Sequence, residues 1–97
     1  MFIDAQEMEK VHSDTFEAPS KKELKNLKVN DSVKICNGRE RFWVTITKIG
    51  KQNNQKLRGT VNNYLVDPVE YDYGDEVRFE KRHIYIVDNH AQERPKE

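Results

Sequence analysis

The chain has 97 residues, 17 basic and 17 acidic side chains, and equal hydrophobic and charged fractions of 35%. That length supports one domain with a small core, and the aromatic and β-branched content is too high for a fully disordered chain. No run approaches the roughly 20 apolar residues a membrane-spanning helix needs, and one cysteine, Cys36, excludes an intramolecular disulfide.

The zero net charge conceals three blocks. Residues 1–18 carry five acids against Lys10, residues 19–63 eleven basic residues against three acids, and residues 64–97 five basic residues against nine acids, so the blocks are net −4, +8 and −4. A basic centre between acidic ends suits an anionic partner, or attraction between segments of one molecule or of neighbouring copies.

In chain order, residues 1–18 are expected to form an arm. Ile3, Met8 and Val11 can line one short helix, and the apolar Phe2, Ile3 and Phe16 suit docking on the domain or on a neighbouring subunit. The opening Met1-Phe2-Ile3-Asp4 lacks a basic stretch leading into an apolar run, so a soluble, intracellular protein is expected, with no membrane partner. Pro19-Ser20-Lys21-Lys22-Glu23 has the spacing of a capping box and predicts a helix over about 20–28, with Leu24 and Leu27 on one face.

From Asp31 the period changes to two. Val33 and Ile35 mark a first strand, Asn37-Gly38 a turn, and Glu40 to Ile49 a second strand with Phe42, Val44 and Ile46 on one face and Trp43, Thr45 and Thr47 on the other. Leu57 to Val61 is a third strand in which Gly59 marks a bulge or sharp bend. Residues 62–73 read as an irregular connection, Tyr73-Gly74-Asp75 as a turn, and Glu76 to Glu80 as a fourth strand with Val77 and Phe79 inward. A fifth strand, His83 to Val87, has an open register: either Ile84 and Ile86 or Tyr85 and Val87 face inward. The expected fold is mainly β, a small SH3-like, partly open barrel or bent antiparallel sheet over residues 19–87, with one short N-terminal helix and a flexible tail at 88–97.

Phe16, Pro19-Ser20, Leu27-x-x-x-Asp31-x-Val33-Lys34, Glu40-Arg41-Phe42-Trp43-Val44, Gly59, Asn62, Tyr73-Gly74-Asp75-Glu76-Val77 and His83-Ile84 together resemble a family of small uncharacterised domains of bacteria and large DNA viruses. The resemblance spans residues 12–88 and departs at Asn30, where that family has glycine. Asparagine also tolerates a left-handed backbone. The resemblance implies domain limits and, for a viral source, a site in the host cytoplasm, nucleus or virion; it implies no activity, cofactor or catalytic residue.

No stretch carries self-identifying chemistry. His12-Ser13-Asp14 has the residue types of a hydrolase triad, but adjacent residues cannot form the relay. His83 and His90 lack metal-ligand spacing, Asp72, Asp75 and Glu76 lack a calcium-loop pattern, and Cys36 has no histidine placed to activate it. An enzyme would require His83 to converge with Asp75 or Glu76. Trp43 is either packed under Leu24 and Leu27 or the arm, or it joins Tyr64, Tyr71 and Tyr73 in a groove. Arg39 and Arg41 share its strand, and Lys48, Lys51, Lys56 and Arg58 surround the following turn, the mixture of cations and rings that single-stranded nucleic acid uses. The leading expectation is a non-enzymatic binding or structural module without cofactor or metal, self-associating as a homo-oligomer or binding another protein. These ten residues are the candidate partner-binding set, and nucleic-acid binding through Arg39, Arg41, Trp43 and the Lys48 to Arg58 surface is the alternative.

Overall fold

The computed structural model describes residues 2–66 and 71–88, so the expectations for His90, for residues 67–70 of the connection and for residues 89–97 of the tail lie outside it. Two short helices, α1 (Ala5–Val11) and α2 (Lys21–Lys25), precede five strands: β1 (Ser32–Cys36), β2 (Arg41–Ile49), β3 (Lys56–Val61), β4 (Glu76–Glu80) and β5 (Ile86–Asp88). The strands form one antiparallel sheet in the order β4-β3-β2-β1-β5. No ladder joins β4 to β5 among the described residues, so the sheet is not closed into a barrel.

Alternation places the core. Phe42, Val44 and Ile46 of β2 meet Val33 and Ile35 of β1, Leu57 and Val61 of β3, and Val77 and Phe79 of β4 on one face. Each such side chain contributes about 1.5–3 kcal/mol by leaving water. Gly59 faces Ile46, where a Cβ would collide with Val44 Cγ1 and lie 2.6 Å from the Thr45 carbonyl oxygen. The glycine therefore serves close strand approach. The irregularity is on the facing strand, where Ile46 pairs with Gly59 but Lys48 with Arg58, leaving Thr47 as the extra residue.

The turns follow local chemistry. Asn37 Oδ1 accepts from the amides of Arg39 and Glu40, and Gly38 takes φ +95°, which a side chain would resist. Ser20 Oγ accepts the Glu23 amide at 3.1 Å while Glu23 Oε1 accepts the Ser20 amide at 3.0 Å, so the capping box forms. Its helix is shorter than expected, ending at Lys25 with Asn26 as its C-cap, whose amide bonds to the Lys22 carbonyl. Leu24 and Leu27 still reach the main core. Asn30 does adopt a left-handed backbone, φ +82°. Its amide and the Asp31 carbonyl bracket Ile46 by two backbone hydrogen bonds, and Asp31 itself is fully buried.

The arm lies on its own domain. The Ile3 amide donates to the Cys36 carbonyl at 2.9 Å, Phe2 enters the main core, and Ala5 and Ala18 pack with Tyr85 in a second cluster joined by Ile3, Met8 and Phe16. Asp4 caps α1 by accepting the Glu7 amide. The chain between β4 and β5 also differs from the expected strand at residues 83–87. Lys81–His83 form a short 3-10 helix, Ile84 and Tyr85 are buried on either side of the chain's path, and only Ile86–Asp88 pair with β1. Val87 faces the main core and Ile86 faces solvent, so neither expected register holds throughout.

Candidate functional site

The ten sequence-predicted residues separate into groups. Arg41 lies over two rings, its guanidinium carbon 4.6 Å from the centroid of Tyr85 and 6.0 Å from that of Phe16, and so fastens the N-terminal segment to the sheet. Trp43 is half-buried and belongs to neither hydrophobic cluster; Lys34 Nζ stands 5.1 Å from its ring centroid. The expectation that α2 or the arm covers it is corrected: Leu24 and Leu27 serve the opposite face, and Phe2 and Phe16 lie elsewhere. The Trp43 amide and carbonyl are held by the Asn63 side chain and the Asn62 amide. Arg39 and Lys51 are exposed beside their turns.

The tyrosines also divide. Tyr64 and Tyr73 stack on each other, 4.7 Å between centroids, at 79% and 53% exposure. Tyr71 instead stacks on Phe2 at 5.6 Å and meets Phe42 at 6.2 Å. A single groove of Trp43 with all three tyrosines does not form.

The remaining residues converge. Pairing across β2, β3 and β4 sets Lys48 opposite Arg58 and Arg58 opposite Arg78, three cations in one row. Neighbouring strands are about 4.8 Å apart, so like charges directly opposite cost stability unless an anion lies between them. The ion pairs found among the described residues involve none of the three: Arg82 pairs with Asp4 at 2.8 Å and Glu80 at 3.0 Å. That hydrogen bond from Arg82 holds the exposed Glu80 carboxyl below its usual range. Lys48, Lys56, Arg58 and Arg78 line a cleft of about 560 Å³ together with Gly50, Leu57, Phe79, Glu80, Arg82, Phe2, Tyr71 and His83.

His83 reaches this cleft because the 3-10 helix turns it back under β4. Its Nδ1 accepts the Glu80 amide at 3.0 Å, so the neutral ring carries its proton on Nε2, which is buried without a hydrogen-bond partner. Burial, reinforced by the positive charge of Arg82, pushes its pKa below the ordinary value. The convergence of His83 with Asp75 or Glu76 does not occur: the length of β4, about 13 Å, separates them. The Asp75 carboxylate accepts the Asp72 amide and that of Asp72 accepts the Tyr73 amide, which is turn chemistry. His12 closes α1 in an exposed turn, and Cys36 Sγ, half-buried, accepts from the Gly38 amide at 3.4 Å.

Sequence reasoning missed Arg78, Arg82, His83 and Phe2 as neighbours of this cleft. Arg78 had a signal, since it lies between the inward Val77 and Phe79 as Arg58 lies between Leu57 and Gly59. No family model, curated protein or solved structure matches the chain. Among the described residues no helix is long and apolar enough to cross a membrane.

Proposed function

We propose that the chain is a non-enzymatic binding module for single-stranded nucleic acid, on a small β scaffold whose strand order suits the SH3-like reading. The observation that carries this is the Lys48, Arg58 and Arg78 row, three facing cations with no ion-pair partner among the described residues. Phosphates relieve their mutual repulsion. The near-neutral pI of 6.8 does not weigh against it, because the charge is segregated rather than absent. Fluorescence anisotropy with a labelled oligonucleotide tests it. Affinity is expected to fall by roughly two decades per decade of salt when about three phosphates on a single strand are neutralised; no binding at low salt overturns the proposal.

Self-association is a second reading, favoured by the exposed Tyr64, Val66 and Tyr73 around one connection and by the outer side of β4, which pairs with no strand among the described residues. Phe2, Ile3 and Phe16 do not support an arm exchanged between subunits, since they pack within their own chain. Light scattering after size exclusion decides: a monomer at every concentration and at low salt removes this reading.

A further inference from the structure

The edge of the sheet at β4 carries unmet bonding capacity. The Val61 amide donates to the Asp75 carbonyl and the Lys81 amide to the Gln55 carbonyl, which sets the phase of the β3–β4 ladder. Val77 and Phe79 therefore bond towards β3, and the amides and carbonyls of Glu76, Arg78 and Glu80 point outward. His83 Nδ1 takes the outward amide of Glu80 at 3.0 Å. At Glu76 and Arg78 the outward groups meet no partner among the described residues. Their exposed side chains share the outer face of the sheet, and neither belongs to an ion pair among the described residues. Such an edge is a template for another strand.

Glu76 and Arg78 select which strand. When two β4 strands pair antiparallel about Val77, Glu76 of each copy faces Arg78 of the other. Each such couple exchanges two backbone hydrogen bonds at a Cα separation of about 5.5 Å, within reach of an ion pair. Every outward group left open at 76 and 78 is then used, and both carboxylates meet a guanidinium. Moving the centre to Arg78 sets guanidinium against guanidinium. Moving it to Phe79 calls on the Glu80 amide, which His83 already holds. With the centre at Val77, the residue facing Glu80 is Gly74 of the second copy, where no side chain projects. Resting on the self-association reading, we infer that β4 pairs with β4 of a second copy about a twofold axis at Val77, joining the two five-stranded sheets edge to edge. The axis closes the assembly at two copies. Lys48 and Arg58 remain open to phosphate.

The test is light scattering after size exclusion, on the full chain at low salt over a concentration series. The unaltered chain is expected to form a dimer. Glu76→Lys and Arg78→Glu are each expected to weaken it about tenfold, because both attractive couples become repulsive. Mixed in equal amounts, these two variants are expected to pair at the original strength, since every couple again joins opposite charges. Asp14→Lys, the same change in net charge at an exposed position off the sheet, should leave the dimer unaltered. Glu76→Pro removes an amide that makes no bond within its own chain and should also weaken the dimer; it decides alone if Arg78→Glu fails to fold. An undiminished dimer in Glu76→Lys and Glu76→Pro, or no recovery in the mixture of folded variants, overturns the edge pairing and leaves self-association to another surface. A monomer at every concentration removes both.

Discussion

The two ends of β2 treat positive charge in opposite ways. At its start, Arg41 lies over Tyr85 and Phe16, and Lys34 on the neighbouring strand lies over Trp43. Near its end, Lys48 faces Arg58, which faces Arg78. The first cations satisfy themselves against the electron-rich faces of the chain's own rings; the second create a field that an external anion can satisfy. A list of basic residues beside aromatic ones cannot separate these situations. Strand register can.

The comparison breaks most visibly in binding. Replacing both Arg58 and Arg78 by alanine is expected to lower oligonucleotide affinity on the order of fiftyfold at about 0.1 M salt and to reduce the logarithmic salt slope by about 1.4. Anisotropy titrations at several salt concentrations measure both. Trp43→Ala should do the reverse, costing about 2 kcal/mol of stability for a half-buried ring while leaving the salt slope unchanged. Arg41→Ala is expected to cost about 1 kcal/mol, again without altering the slope, because its cation–π contacts hold the N-terminal segment. Denaturant unfolding with oligonucleotide titration on the same samples distinguishes these outcomes.

A smaller effect sharpens the contrast through pH. Because burial depresses the His83 pKa below its ordinary 6.5, the unfolded chain takes up a proton first as pH falls. The stability contributed by neutral His83 is therefore complete above about 6.5, declines as pH drops through that value, and levels off below the folded-state pKa. Arg82 deepens the depression, whereas Glu80 and Asp4 oppose it. Unfolding at pH 7.5 and 5.5 should show the loss, and His83→Gln should flatten the dependence between them.

Much of the sheet was legible because its causes are local. Phe42, Val44 and Ile46 alternate with polar or amphipathic neighbours, Ser20 and Glu23 close a capping box across three residues, and Val77 and Phe79 repeat the strand period. The packing of Phe2 on Tyr71 joins residues almost seventy positions apart, and no spacing rule reports such a contact. Residues 83–87 carry a strand-like apolar pattern, yet Ile84 and Tyr85 enter different clusters, so tertiary burial overrides alternation there. The candidate site was half legible. Lys48, Lys56, Arg58 and Tyr71 could be named, but their association with Arg78 and His83 depends on the β3–β4 register and on the 3-10 helix.

The extra residue at Thr47 has a consequence for the whole arrangement. Up to Ile46 the even-numbered side chains of β2 point into the core; beyond Thr47 the parity is inverted, so Ile49 turns inward with Leu57 while Lys48 joins Arg58 outside. With unbroken alternation the same sequence would press a lysine ammonium into the core and present an isoleucine to solvent. One inserted residue thus shifts the phase of the strand, allowing a single continuous segment to supply both the apolar interior and the first charge of the cationic row.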